Sequence, residues 1–231
     1  MNSLIISAHP DDEVLGCGGT IAKLVEEGMQ VYVAILGEGI TSRYEERTIA
    51  DANALQNLKE SSKRVAEFLG IKELFLFDLP DNRFDTVPLL EIVKIIESII
   101  DKVNPSIIFT HHAGDLNIDH SIVHRATITA TRPILPKIVK TTYAYEVPSS
   151  TDWAFGQFGT TFKPNVFIDI EKTLEKKINA MLLYESEVRS FPHPRSPEAL
   201  KATAYRWGSV VGLKAADDAF AFISDAINEG N

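Results

Sequence analysis

Short apolar segments alternate along this chain with segments whose apolar residues recur at helical spacing, and this alternation restricts the possible fold more than any other feature. Buried parallel strands are nearly continuous apolar runs, and the helices that connect them cover both faces of the sheet. The predicted strands are 4–7, 30–36, 73–79, 106–110, 141–146 and 165–170, and the predicted helices are 20–28, 55–69, 88–103, 120–132, 171–186 and 196–211. The pattern predicts an α/β fold, a Rossmann-like sandwich with a mostly parallel sheet and helices on both faces.

Length and composition are consistent with one domain. The chain has 231 residues, of which 45% are hydrophobic, so it can bury a sizeable core. Because no repeat, low-complexity run or linker divides it, we expect a single domain over residues 1–231. The 23 basic and 32 acidic residues give a net charge of −9, which argues against a nucleic acid or an anionic membrane surface as partner.

Compartment is indicated by features that the sequence lacks. The N-terminal residues have neither the basic region nor the long apolar region of a secretory signal, and no apolar segment approaches the roughly 20 residues of a membrane span. The single cysteine, Cys17, rules out an internal disulfide and a thiolate zinc site, and we interpret it as a small buried residue. These features predict a cytoplasmic protein without a membrane span.

The first strand is followed directly by ligand-capable side chains. His9, Asp11, Asp12 and Glu13 come after an apolar run, at the edge of a parallel sheet where ligands are usually bound. A cluster of acids at such an edge is costly unless a positive charge holds it together, and a metal ion would supply that charge. The alternative is an exposed acidic turn in which Asp11 or Asp12 caps the following helix.

The residue types favour one class of metal. An imidazole with one or two carboxylates suits zinc, or iron(II) and its neighbours, better than the all-oxygen cages of calcium or magnesium. A catalytic zinc usually has three protein ligands, and the polar residues after the strand at 106–110 are a source for the third. The glycines at positions 16, 18 and 19 lack the spacing of a dinucleotide loop, and we interpret them as allowing close packing.

The segments AHPDDE, at 8–13, and GDLNIDH, at 114–120, resemble the motifs of the LmbE-like, or PIG-L-like, zinc-dependent N-acetylglucosaminyl deacetylases. The resemblance implies that His9, Asp12 and His120 hold Zn²⁺, with Fe²⁺ also acceptable to this donor set, and that Asp11 is the general base. It further implies an amino-sugar conjugate as substrate and a homo-oligomeric assembly.

Further polar residues receive roles that stay open. By the resemblance, Asp119 hydrogen-bonds a neighbouring group and holds the geometry of the site, although it could equally cap the helix that begins near His120. Asp81 would contact sugar hydroxyls or belong to an ordinary turn. His111 and His112 end a strand, and one of them is expected to line the pocket.

The chain departs from part of the family at position 117. Many members have a histidine three residues before the ligand histidine, whereas this chain has Asn117. An asparagine can donate a hydrogen bond to an oxyanion but cannot supply a proton. We therefore expect Asp11 to perform both proton transfers, or His111 or His112 to assist.

Charged loops give weaker expectations. Arg43 and Arg47 are either solvated or contact an anionic group of the substrate. The proline-rich stretch 191–197, with His193 and Arg195, is expected to form a pocket wall or a subunit contact.

Three functions remain after these observations. The first is hydrolysis of an N-acetyl group from an N-acetylglucosamine-type conjugate, with release of acetate and a free amine. The second is a metal-dependent phosphoesterase, which usually needs more ligands than the two motifs provide. The third is a sugar-binding protein that keeps the fold without catalysis. Retention of both Asp11 and Asp12 favours the first.

Overall fold

The computed structural model describes residues 1–133 and 139–223. Seven strands form one sheet: β1 (Asn2–Ser7), β2 (Gln30–Gly37), β3 (Glu73–Leu79), β4 (Ile107–His111), β5 (Thr141–Tyr145), β6 (Val166–Asp169) and β7 (Ala216–Ile223). The α-helices are α1 (Asp12–Glu26), α2 (Ala52–Leu69), α3 (Leu89–Val103), α4 (Ile118–Ala130), α5 (Leu174–Leu182) and α6 (Pro197–Val211).

The sheet has the order β3-β2-β1-β4-β5-β7-β6. The pairs among β1 to β5 are parallel, and β7 runs antiparallel to both β5 and β6. The prediction of a mostly parallel α/β sandwich is confirmed. Strand β7, which lies between β5 and β6, was not predicted from the sequence.

Side chains of successive strand residues enter opposite halves of the core, as the two-residue period of a strand requires. In β1, Ile5 packs with apolar residues of α1, α2, α5 and α6, whereas Leu4 and Ile6 pack with those of α3 and α4. The sheet is thus covered on both faces. Among the described residues, no helix combines the length and the apolar character needed to cross a bilayer.

The first helix begins eight residues earlier than the predicted start at position 20. It starts at Asp12, inside the acidic motif, and includes the three glycines. A Cβ at Gly16 would lie 2.2 Å from Cδ2 of Tyr145, and one at Gly19 would lie 2.8 Å from Cδ1 of Ile170. The absence of these side chains lets α1 approach the strands closely, which agrees with the packing interpretation. The approach fixes the acidic motif against the end of β1.

Candidate metal centre and cleft

Two imidazoles and a carboxylate converge at the carboxyl ends of β1 and β4. Oδ2 of Asp12 lies 3.5 Å from Nδ1 of His9 and 3.3 Å from Nε2 of His120. One ligand atom from each of the three residues lies within 4.8 Å of the others, and all three side chains are almost fully buried. A histidine–carboxylate–histidine set of this kind has the donor chemistry that zinc and iron(II) accept.

The nitrogens of the two histidines that face away from Asp12 contact other carboxylates. Nε2 of His9 lies 2.9 Å from Oδ2 of Asp119, and Nδ1 of His120 lies 2.9 Å from Oδ2 of Asp115. A carboxylate on the far nitrogen is the usual support of a metal-binding histidine, because it fixes the tautomer and the ring orientation. The residues present therefore fit a bound metal ion.

Two other groups of side chains also come close enough to hold a metal ion: His111 with Asp115 and His120, and His9 with Asp81 and Asp119. In the first, the Nε2 atom of His111 accepts a hydrogen bond of 2.7 Å from the backbone N–H of Ala8. The His111 ring also stacks on that of His120, with centroids 3.9 Å apart. These contacts suit a histidine that orients the site better than one that binds a metal.

The carboxylates around His9 and His120 favour a positive charge at this site. Burial lowers the pKa of His9, but hydrogen bonds to Asp119 and Asp12 outweigh it and raise the pKa to about 10. Burial also opposes protonation of His120, but Asp12 and Asp115 raise its pKa to about 9. The carboxylates that attract a second proton to each imidazole would equally attract a divalent cation.

Asp11 lies beside this cluster and is paired with an arginine from the distant proline-rich loop. Its Oδ2 atom accepts a 2.7 Å hydrogen bond from Nη1 of Arg195, whose Nε donates to Oγ of Ser149. Burial raises the pKa of Asp11 well above its usual range, and the guanidinium of Arg195 opposes that effect. Arg195 also lies 3.9 Å from Glu187, which accepts a hydrogen bond of 2.6 Å from Arg43.

The backbone of Asp11 is held in an uncommon conformation. Its φ of 101° lies in a region that residues with side chains rarely adopt, and its side chain makes no capping hydrogen bond to α1. The alternative in which Asp11 caps the helix is therefore wrong. The conformation instead turns the carboxylate towards Arg195.

The residues of the second motif have distinct places. Asn117 caps α4, because its Oδ1 accepts a hydrogen bond from the backbone N–H of Asp119. Asp119 itself is not the cap: its two oxygens accept from the backbone N–H groups of Asn82, at 2.6 Å, and Phe84, at 3.0 Å, as well as contacting His9. It thus connects the loop after β3 to the candidate metal centre.

Asp81 and His112 lie on different sides of the site. Asp81 is buried, contacts Nε2 of His9 at 3.2 Å and accepts two hydrogen bonds from Ser42. His112 instead contacts the carbonyl oxygen of Thr160 at 2.8 Å and lines a second cavity. His124 contacts the carbonyl oxygen of His111.

These side chains surround a cleft of about 150 Å³. It is lined by His9, Pro10, Asp11, Asp12, Gly39, Ile40, Ser42, Arg43, Leu58, Asp81, Asn82, Asn117, Glu187 and Arg195. A larger groove of about 570 Å³ adjoins it and shares Ile40, Arg43 and Leu58 as lining residues. Arg47, by contrast, pairs with Glu38.

Known proteins similar to this chain include two with different reactions. The diacetylchitobiose deacetylase of Thermococcus kodakarensis is 28% identical over 227 residues, covering 93% of this chain and 80% of that protein. The 4-oxalmesaconate hydratase of Pseudomonas putida is 27% identical over 198 residues, covering 78% of this chain and 71% of that protein.

The fold also occurs in a solved structure of related architecture. The N,N'-diacetylchitobiose deacetylase from Pyrococcus horikoshii superposes with a TM-score of 0.75 at 20% identity, covering 96% of this chain and 84% of that protein. At this identity the likeness shows a common fold.

The N-terminal part of the chain matches the model of a protein family. The model described as PIG-L, GlcNAc-PI de-N-acetylase, matches residues 4–131, which is more than half of the 231 residues. Both motifs, the cluster of His9, Asp12 and His120, and Asp11 lie inside the matched segment. The resemblance predicted from the two motifs is confirmed, and the chain belongs to the PIG-L family of de-N-acetylases.

Proposed function

We propose that the protein is a zinc-dependent hydrolase that removes the acetyl group from an N-acetylglucosamine-type conjugate, releasing acetate and a free amine. The observation that carries this proposal is the convergence of His9, Asp12 and His120 beside the buried carboxylate of Asp11. Membership of the PIG-L family and the deacetylase among the similar proteins support the same reaction.

In this proposal His9, Asp12 and His120 hold Zn²⁺, and Fe²⁺ remains compatible with the same donors. The support from Asp119 on His9 and from Asp115 on His120 favours this set over the two other groups that come close together. When bound, the ion would lower the pKa of a water molecule and polarise the acetamide carbonyl.

Asp11 would be the base and then the acid. Its carboxylate accepts the proton of the attacking water as a C–O bond forms at the acetamide carbon. When the C–N bond breaks, Asp11 returns that proton to the amine nitrogen, so that acetate and the free amine leave. Arg195 keeps the base oriented throughout, because its guanidinium holds one oxygen of Asp11.

Asn117 would stabilise the negative oxygen that develops at the carbonyl. It lines the cleft, and the hydrogen bond at the start of α4 occupies its Oδ1. The amide Nδ2 is the remaining polar atom of that side chain and donates hydrogen bonds. Asp81, held by Ser42, would accept hydrogen bonds from sugar hydroxyls.

The two adjoining spaces support a conjugate rather than a free sugar as substrate. The cleft of about 150 Å³ contains the candidate reaction centre, and the groove of about 570 Å³ begins at Arg43 and Leu58. The group attached to the amino sugar would occupy that groove.

We also propose a homo-oligomer, which light scattering after gel filtration would test.

The reaction is tested by measuring acetate release from a panel of N-acetylglucosaminides. Zinc-loaded, chelated and Asp11→Asn proteins are compared in parallel, and release that needs both the metal and Asp11 is the expected result. No acetate from any conjugate, with zinc bound stoichiometrically and the sugars bound, would instead indicate a binding protein. Hydrolysis of a phosphate ester without acetate release would indicate the phosphoesterase.

A hydratase is the second candidate, because the Pseudomonas putida protein aligns over 78% of this chain. A base of the same kind would then take a proton from water as the oxygen bonds to one carbon of a carbon–carbon double bond, and would return that proton to the other carbon. Loss of ultraviolet absorbance from an unsaturated dicarboxylic acid, with no acetate from any conjugate, would favour this reaction.

A further inference from the structure

A second cavity lies beside the carboxyl ends of β4 and β5, against α6. Its volume is about 360 Å³, and among the described residues it shares no lining residue with the catalytic cleft. Phe162 and Trp207 give it apolar walls, and Glu146 and Asp152 give it acidic ones. Arg206 also lines it, with its guanidinium carbon 4.1 Å from the centre of the Trp207 ring. Nothing in the deacetylase mechanism uses these groups.

A narrow space of about 10 Å³ adjoins this cavity, and Glu146 and Thr203 line both. A space of this size holds one water-sized group. Asp218 lines the narrow space and is 6% exposed, and its buried Oδ2 atom has no hydrogen-bond donor in the described part of the chain. A buried carboxylate without a donor is costly, so this atom requires a partner.

The nearby lysine does not serve as that partner. Lys177 lies 2.5 Å from Oδ1 of Asp217, whose other oxygen accepts hydrogen bonds from the backbone N–H and the hydroxyl of Thr20. The Asp217 carboxylate is thus satisfied. The ammonium of Lys177 also lines the narrow space and opposes the raised pKa of Asp218, but it donates its hydrogen bond to Asp217. Asp218 and Glu146 remain as a second acid pair beside it.

Within the described ranges, the indole N–H of Trp207 donates to this pair and lies 2.7 Å from Oε1 of Glu146. Burial, and then the charge of Glu146, raise the pKa of Asp218 well above its usual range. Two carboxyl groups can hydrogen-bond to each other only by sharing a proton. Two arrangements would therefore stabilise this acid pair: a proton shared by Glu146 and Asp218, or a cation bound in the narrow space.

We propose that this acid pocket binds a small organic amine, with a primary ammonium in the narrow space against Glu146 and Asp218 and the carbon skeleton in the larger cavity. An ammonium is a water-sized group with three donors, and Glu146, Asp218 and the hydroxyl of Thr203 line the space that it would enter. Phe162 and Trp207 would pack against the skeleton. A metal ion is disfavoured, because the groups of side chains that could hold one lie elsewhere in the described residues.

The ligand class is thus a small primary amine, and a de-N-acetylated amino sugar is the example chosen as the probe. The site does not depend on the deacetylase chemistry, because it lies outside the cleft. The test is likewise independent of turnover.

Tryptophan fluorescence tests the proposal directly. The chain has two tryptophans, and Trp153→Phe leaves Trp207 in the pocket as the single one. This change is combined with Asp11→Asn, so that the protein does not convert one probe into another. The protein is titrated with glucosamine, N-acetylglucosamine and glucose in amine-free phosphate buffer at neutral pH.

The three sugars differ at one carbon, which bears an ammonium, an amide or a hydroxyl. A saturable change with glucosamine, with affinity at least about tenfold above that for the other two, is the expected result. Equal responses to all three sugars, or no saturation with glucosamine, would overturn the proposal. If the narrow space holds only a shared proton or a single water, the titration with glucosamine should show no saturation.

Two variants connect the signal to the acid pair. Asp218→Asn gives Glu146 an amide donor in place of the ammonium and should abolish the glucosamine response while the melting temperature is maintained. Glu171→Gln, at an exposed acid paired with Lys214, is the matched control and should bind as before. Glucosamine binding by Asp218→Asn as tight as that of the parent would refute the site.

Discussion

Removal of Arg195 should slow catalysis without removing the metal. Arg195→Gln deletes the cation that holds Asp11 but preserves most of the side-chain volume. The Nη1–Oδ2 distance is 2.7 Å, and the side chains of Arg195 and Asp11 are 21% and 2% exposed. Because both charges are largely shielded from water, solvent cannot replace the lost partner.

The size of the effect follows from this geometry. Two unit charges about 4 Å apart at an effective dielectric constant of about 20 interact by about 4 kcal/mol. Breaking a buried ion pair by removing one partner typically costs about 3–5 kcal/mol, since the remaining charge stays buried. Asp11 would avoid that cost by taking up a proton or by moving, and either change removes the base. A general base contributes about 10²–10⁴-fold, so we expect kcat to fall by at least about 10²-fold.

The assay separates a role in positioning the base from a general loss of structure. KM for the conjugate and the bound zinc, measured by elemental analysis, should change little while kcat falls. Added guanidinium ion should restore part of the rate to an Arg195→Ala protein, because the small cation can enter the space of the deleted side chain.

Arg189→Gln is the matched control. Arg189 lies in the same segment but donates to the backbone carbonyl oxygens of Ser186 and Val188, so its loss should leave kcat unchanged. A kcat of Arg195→Gln within about twofold of the parent, or a parallel loss of zinc, would refute the assigned role; twofold is about 0.4 kcal/mol.

Four further results are expected. Asp11→Asn should keep its zinc and lose about 10²–10⁴-fold in kcat, and normal acetate release would contradict its role as base. His120→Ala should release the metal, so unchanged zinc by elemental analysis would refute that ligand. Asp119→Ala should weaken zinc binding by about 10–100-fold in competition with a chelator, because His9 loses its support. The pKa of Asp218 is raised in the folded protein. Asp218 therefore contributes to the free energy of unfolding below its ordinary pKa of 3.8, and this contribution is lost as the pH rises through the raised pKa. Asp218→Asn should therefore reduce the loss of stability that accompanies a rise in pH above the ordinary pKa of 3.8, as followed by urea unfolding.

The strands of the parallel part were predictable because each is a short apolar run that ends in polar residues. The start of α1 was not, because the glycines at 16, 18 and 19 have low helix propensity and resemble a turn. Their helical state depends on contacts with Tyr145 and Ile170, more than a hundred residues away. Tertiary packing overrides local preference at this point.

Strand β7 was missed for a related reason. Its adjacent acids, Asp217 and Asp218, are typical of loops, yet both are buried. Asp217 is compensated by Lys177 and Thr20, which are distant in sequence. Only the apolar run that follows, from Ala219 to Ile223, indicated a strand.

The candidate metal ligands could be predicted from the sequence, whereas the contacts of Arg195 and Asp115 that support the site were not predicted. His9, Asp12 and His120 follow strand ends that lie side by side in the sheet, so topology alone brings them together. Arg195 is 184 positions from Asp11 in the sequence, and its proline-rich loop indicated a pocket wall or a subunit contact but not this partner. Asp115, five positions before His120, could have been found from its spacing.

In the proposed enzyme, different residues would control metal affinity and proton transfer. Asp119 and Asp115 contact the histidines, so changes there act on metal affinity. Arg195 contacts Asp11, so a change there acts on the proton transfers. Glu187 contacts both Arg43 and Arg195, so the charge of the groove and the charge beside Asp11 are connected through this one carboxylate. We therefore expect changes at Glu187 or Arg195 to alter the proposed proton transfers while the candidate metal ligands stay unchanged.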